Sequence, residues 1–324
     1  MIPLLQLHLL VAYPPSAPER DAAGRPKTAI FGNHPRRRIS SQSLVRAWCA
    51  SPVFATTLAG HLSRPVLELV PAIGSRLMAE AVPEPAARAA AAAVAAQFAL
   101  PAGFQADRAL LAPAEQRLAL ALARRIAAGE AVTAAPGELL RHADDAVDIA
   151  LFGRALPGLA GFDREAAVQV AHAITTHGSP PEVNGSGDGA PGIDGALYYL
   201  YLCIDRGRLI SNLAGDEALA RAALGTLVLT AATVTAPRDA TPSMAGPAPA
   251  GYILAESGRG PVRTLAGAFL DPVAGCDLMG RSIAALESHR HRLAAAYGET
   301  PETAVMDAHL GRGTLDDIVA LATR

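Results

Sequence analysis

The chain has 324 residues, of which 51% are hydrophobic and 18% charged, and its formal net charge is −2. That composition supplies a large buried core, enough for two folded units, and it excludes both a disordered chain and one that is cationic throughout. Aromatic residues make up only 4%, which argues against a binding surface built mainly from stacked rings.

The apolar opening run, Ile2 to Tyr13, reads as a buried strand over Ile2 to Ala12 that Pro14 and Pro15 stop. It lacks a basic start and falls well short of the roughly 18 to 20 residues of a membrane helix. The expectation is a cytoplasmic protein with no membrane partner. Residues 13–39 carry Pro14, Pro15, Pro18, Gly24, Pro26, Gly32 and Pro35 and read as one long loop. Ser40 is an N-cap residue type, and Leu44, Val45, Ala47 and Trp48 behind it predict a helix that Pro52 ends.

From 59 to 143 the texture turns Ala-rich. Ala86–Leu100 and Ala114–Ala128 have helical spacing, so this stretch reads as an inserted helical subdomain. Val147–Leu151 is strand-like, and Asp163 is expected to cap a helix running to about His177. Residues 178–195 form a Gly- and Pro-rich loop or hairpin tip. Ala196–Ile204 reads as a strand, Asp216 begins a helix to about Thr233, and Tyr252–Ala255 and Val262–Leu265 are further strand candidates. A long helix over Asp277–Tyr297 and a short one capped by Thr314 complete the chain. This order predicts an α+β fold, with a ferredoxin-like arrangement preferred.

Three cysteines, Cys49, Cys203 and Cys276, lie far apart without CxxC pairing. They fit a reducing compartment and argue against a disulfide framework or a zinc cluster. Neither His172 with His177, read as five apart on a helix, nor His289 with His291 has the spacing of a shared metal site. No metal and no cofactor is expected. Asn184–Gly189 is Gly-rich but neither follows a strand nor opens a helix, so it reads as a flexible tip. Asp144, Asp145 and Asp148 read as a helix-to-strand junction. No nucleophile elbow appears, and the chain is expected not to be an enzyme.

Charge is unevenly spread. Residues 1–46 hold seven basic side chains (Arg20, Arg25, Lys27, Arg36, Arg37, Arg38 and Arg46) against Glu19 and Asp21, a local charge of +5. Such asymmetry suggests a polyanionic partner. The run Arg36-Arg37-Arg38-Ile39-Ser40-Ser41-Gln42-Ser43 sets three guanidinium groups before a helix start, where free amides, the positive end of the helix dipole and polar side chains also collect. The run reads either as an anion site or as a solvated charged loop before an ordinary Ser-capped helix. Of the 28 basic residues 27 are Arg, so Lys27 is either a chance survivor or a site that wants a compact ammonium.

The stretch Tyr13-Pro14-Pro15-Ser16 … Glu19-Arg20-Asp21 … Gly24-Arg25-Pro26-Lys27-Thr28-Ala29-Ile30-Phe31-Gly32 … Arg36 to Leu44 closely resembles the CasC-type backbone subunit (RAMP superfamily) of the type I-E CRISPR Cascade complex. Val147–Arg154 and Ala167–His177 are similar to the same family, with weaker matches at 196–205, 212–216 and 265–269. The resemblance implies an RRM-like palm built from residues 1–58, 144–177 and 196–324. It also implies a helical finger insertion at 59–143 and a thumb hairpin at 178–195. It further implies a non-catalytic subunit that binds CRISPR guide RNA and stacks on copies of itself. Its other implied partners are further Cascade subunits and, through the guide, target DNA. RNA-backbone contact falls by this resemblance on Arg20, Lys27, Ser40, Gln42 and Arg46, with Arg36, Arg37, Arg38 and Ser41 close by. The chain departs from the family where it has Val45 and Cys49 in place of Lys, at Pro237-Arg238-Asp239, and in a shortened thumb. Two rival readings are a type III-like subunit that cuts target RNA with Asp21, and a binder of a small phosphorylated ligand.

Overall fold

The computed structural model of the protein describes residues 4–98, 109–131, 136–156, 159–179, 194–234, 248–298 and 300–324. In chain order the elements are β1 (Leu4–Ser16), β2 (Thr28–Phe31), β3 (His34–Ile39), α1 (Ser41–Cys49), α2 (Pro52–Thr57), β4 (Arg64–Pro65), α3 (Val66–Ala79) and α4 (Glu84–Ala96). There follow β5 (Leu110–Leu111), α5 (Pro113–Ala127), α6 (Pro136–Leu139), α7 (Val147–Phe152), β6 (Val168–Val170), β7 (Ala173–Thr175), β8 (Asp194–Ile204) and α8 (Arg206–Asn212). The last are α9 (Glu217–Thr233), β9 (Ala250–Gly258), α10 (Leu278–Tyr297), β10 (Glu302–Asp307) and α11 (Leu315–Ala322). The fold is α+β. No helix among the described residues is long and apolar enough to cross a membrane.

The chain divides into two compact units. The first comprises 1–57, 168–206 and 221–324. Its antiparallel sheet runs in the order β10-β9-β1-β8-β7-β3-β2, with β6 also paired to β8. The central strand β1 reads as a nearly unbroken apolar run because both its faces are covered: Leu5, Leu7, Leu9, Leu10 and Val11 are all buried. On one face Leu10, Tyr199, Tyr201, Tyr252 and Leu254 pack with Leu265, Phe269 of a 3-10 turn (Ala266–Phe269) and Leu286 of α10. His8, the polar exception in β1, is buried: its Nδ1 lies 2.8 Å from the Tyr199 hydroxyl and its Nε2 3.5 Å from Glu256 Oε2. Arg290 Nε in turn donates to Glu256 Oε1 at 2.6 Å.

The second unit comprises 58–167 and 207–220. The expected finger, 59–143, lies wholly within it. Ala87, Ala90, Ala91 and Val94 of α4 pack with Leu69, Ile73 and Leu77 of α3 and with Ala119 and Leu122 of α5. The small alanine side chains let these helices approach closely. Beside this apolar core lies an ionic one. Glu115 accepts from Arg154 Nη1 at 2.6 Å, and Asp144 pairs with both terminal nitrogens of Arg164, all four side chains being nearly inaccessible. The three clustered aspartates therefore serve different ends, and Asp148 holds the main-chain amide and hydroxyl of Ser63.

Several expectations change in the structure, and the first strand runs past Pro14 and Pro15 to Ser16. Residues 13–39 are not one loop, because β2 and β3 form a hairpin whose two-residue tip, Gly32-Asn33, takes φ of 59° and 61°. Both residues in the left-handed region is what a tight type I′ turn requires. Val147–Leu151 is helical, ended by Gly153 at φ 82°. The helix expected over 163–177 is instead the strand pair β6 and β7, which place Val168, Val170, Ile174 and Thr175 against the edge of β8. Those β-branched side chains lose rotamer freedom in a helix and fit a pleated surface. His172 and His177 accordingly flank β7 and share no helix. Val262–Leu265 carries no strand, and the sequence reading also missed β10, paired along β9. The thumb from 180 to 193, with the Gly-rich Asn184–Gly189, and Pro237-Arg238-Asp239 lie outside the described residues.

Candidate nucleic-acid interface

Three segments of the first unit converge on the start of α1. Residues 17–27 leave the end of β1, and a bridge between Arg20 and Pro26 closes the loop. Lys27 N donates to Glu19 O at 2.9 Å and Arg38 N to Lys27 O at 2.9 Å, so residues 19, 27 and 38 lie side by side. Strand β3 then runs directly into the N-cap. Ser40 is extended, at φ −71° and ψ 147°, and its hydroxyl accepts from Ser43 N at 3.3 Å. Leu44, Ala47 and Trp48 form the buried face of α1, which turns Gln42 and Arg46, four apart and both exposed, towards solvent.

At the centre sits the carboxylate of Glu19. Its Oε1 accepts from Lys27 Nζ at 2.8 Å, Ser40 Oγ at 2.8 Å and Ser43 Oγ at 2.9 Å, and its Oε2 accepts from Ser40 N at 2.6 Å. Burial alone would raise this carboxyl's pKa. The hydrogen bonds from Lys27, the Ser40 amide and the two serine hydroxyls outweigh burial and hold it at about 2. The first turn of α1 contains no acidic residue. The donors at this helix start are taken by a carboxylate side chain from a different segment.

The remaining predicted residues are dispersed around that centre. Arg20 is half-buried and donates to Gly24 O. Arg38 is half-buried, its Nε donating to Thr28 O at 3.3 Å. Ser41 N donates to His172 Nδ1 at 3.0 Å, which takes up one more amide of the first turn.

Arg36 does not belong to the interface. It is 0% exposed, and its guanidinium donates to Thr175 O, Thr176 O, Phe269 O and Leu270 O at 3.1, 2.9, 2.6 and 3.3 Å. Four main-chain carbonyls replace water around it, so it braces the sheet and is closed to a phosphate. Arg37 is also buried, at 7% exposure, where its charge acts on Tyr198 and His177. Val45 and Cys49 lie half-buried along α1 and bring no charge to it. Asp21 is engaged within its own loop: its carboxylate accepts from the amides of Ala23 and Arg25 at 2.9 Å each and from the Arg25 guanidinium. The hydrogen bond from the Arg25 amide leads in lowering its pKa.

Sequence reasoning missed Glu19 and His172 as parts of this site. The signal for Glu19 was present as one of only two acids in a +5 segment. His172 gave none, because its place depends on the strand pairing of β7 with β3.

The profile of the CT1975-like protein family, a Cas family, matches residues 5–184 and 189–319. The chain belongs to that family. Among curated proteins no relative matches. Two solved structures share the fold of this CT1975-like chain. One is a chain of a CRISPR RNA-guided surveillance complex in a pre-nicking state, with TM-score 0.73 and 23% identity over 98% of this chain and 100% of that one. The other, a chain of a CRISPR RNA-guided surveillance complex, has TM-score 0.71 and 23% identity at the same coverage.

Proposed function

We propose that this chain is a non-catalytic, cytoplasmic subunit that binds CRISPR guide RNA through its sugar-phosphate backbone. Copies stack head to tail on an RRM-like palm and form the backbone of a type I-E Cascade-like surveillance complex. The other Cascade subunits and target DNA, paired to the guide, are its further partners. The observation that carries this reading is the built anion site at the start of α1. There an ammonium, two hydroxyls and a main-chain amide converge on two oxygens, beside the solvent-reaching Arg20, Arg38, Gln42 and Arg46. Family membership and a fold shared with chains of RNA-guided surveillance complexes support it.

The chemistry suits the task. A protein that must hold any guide has to grip phosphate and sugar and leave base edges free. Few aromatics and a basic edge serve that purpose by charge rather than by stacking. Contacts that repeat head to tail, each copy using two different surfaces, build an open filament along the strand.

The test is RNA affinity at stepped salt for Lys27→Ala and Arg38→Ala. Both are expected to weaken unrelated sequences alike and to reduce the salt slope by roughly 0.7 per lost phosphate contact. Unchanged binding in both variants would overturn the site.

A further inference from the structure

We propose that Glu19 is an internal stand-in for an RNA phosphate, and that the guide is bound at this site by exchange of its phosphodiester for the Glu19 carboxylate. The inference rests on the reading above that the partner is RNA. Its starting point is the acceptor count. The two carboxylate oxygens of Glu19 take four hydrogen bonds, three on Oε1 and one on Oε2. A phosphodiester offers the same resource, two non-bridging oxygens sharing one negative charge.

Glu19 is also built to leave. It lies beyond the end of β1, in the segment between Ser16 and the Arg20–Pro26 bridge, so its side chain can turn away without unpairing a strand. Three of its four donors cannot follow, because Ser40 and Ser43 are held at the cap of α1. Left empty, the site would hold an ammonium and three polar donors without an acceptor, and a carboxylate that keeps it filled before the guide arrives avoids that cost. At any working pH the carboxyl is ionised, so the exchange is anion for anion and is not triggered by protonation. Carboxylate and phosphate cannot share the serine donors, since both are negative and each hydroxyl and the amide has a single hydrogen to give.

The same geometry explains Lys27 in a chain whose other 27 basic residues are all Arg. Its ammonium approaches one oxygen that two hydroxyls also share. A compact group with three rotatable donors fits such a crowded oxygen, whereas a planar fork asks for two oxygens in its own plane.

The experiment compares RNA affinity and its salt dependence for the full chain and for Glu19→Gln, Lys27→Ala and the double variant, with tryptophan fluorescence as the check on folding. Exchange predicts that Glu19→Gln binds RNA more tightly, on the order of tenfold, the worth of one charge-assisted hydrogen bond no longer in competition. Its salt slope is expected to steepen by about 0.7. Lys27→Ala is expected to cost more when combined with Glu19→Gln than in the native chain. Glu19→Asp, which withdraws the carboxylate by one methylene and keeps the charge, is expected to shift affinity in the same direction by less. It replaces Glu19→Gln if that variant does not fold. If Glu19→Gln and Glu19→Asp bind as the native chain does or more weakly while Lys27→Ala and Arg38→Ala lose affinity, the exchange is wrong and RNA binding stands. If none of these variants changes RNA binding, both readings fall.

Discussion

Arg36 and Arg38 stand two residues apart in β3, and the structure assigns them opposite jobs. Arg36→Ala removes the guanidinium from four carbonyl oxygens, of which Thr176 O keeps a second donor, the Val273 amide at 3.0 Å. Of the other three, Thr175 O and Phe269 O lose a donor in a buried setting and Leu270 O in a part-buried one, at about 1 kcal/mol or more each, and the packing of the side-chain stem is lost as well. The expected cost is about 3–5 kcal/mol, which corresponds to a drop in melting temperature of roughly 10 °C. Arg38, with one long hydrogen bond at 3.3 Å and a half-buried side chain, is expected to cost under about 1 kcal/mol when truncated. The assay is thermal unfolding followed by fluorescence of Trp48, the single tryptophan and a fully buried one. RNA titration then follows at a temperature where both variants are folded. Arg36→Ala is expected to bind RNA normally and melt early, and Arg38→Ala the reverse. An Arg36→Ala protein that melts with the native chain would refute the bracing role. So would an Arg38→Ala protein destabilised to the same degree.

Three further outcomes follow from particular contacts. At Gly32 a Cβ would lie 1.8 Å from Leu270 O, and φ is 59°; Gly32→Ala must lift the β2–β3 tip at a cost of about 2–4 kcal/mol, measurable by denaturant unfolding. Glu115→Ala strands the buried Arg154 and is expected to cost about 3–5 kcal/mol, with hydrogen exchange rising first in residues 58–167. Glu19 has a pKa of about 2 when folded against 4.5 ordinarily, so its stabilisation is fully present above pH 4.5 and is lost as pH falls towards 2. The difference in acid stability between the native chain and Glu19→Gln is expected to shrink by about 3 kcal/mol across that window, and equal pH profiles would contradict it.

How far the sequence was legible depended on whether the decisive signal was local. The cap at Ser40, the helix ahead of Tyr297, the Thr314 cap and strand Ala196–Ile204 were readable, because capping side chains and apolar periodicity act within a few residues. The β2–β3 hairpin was hidden, because Pro35 and three arginines mask a strand whose apolar content is only Ile39 at its inner end. Residues 168–175 were misread for the opposite reason: alanines suggested a helix, while the open edge of β8 imposed a strand. For the candidate site, the segment and its charge were legible and the sorting of the arginines was not. Arg36 and Arg38 share a face of β3 and Arg37 lies on the other, so alternation does not sort them; Arg36 is drawn in by the carbonyls of Phe269 and Leu270, more than 230 residues away. The carboxylate at the centre was visible only as an opposing charge.

The most direct test of the central claim is to express the tagged chain with its neighbouring genes and a repeat-spacer transcript, purify it, and sequence the nucleic acid that remains bound. The expected result is one RNA class of defined length, spacer flanked by repeat pieces, carried by an assembly holding several copies of this chain. Protein that elutes as a monomer free of RNA would contradict it.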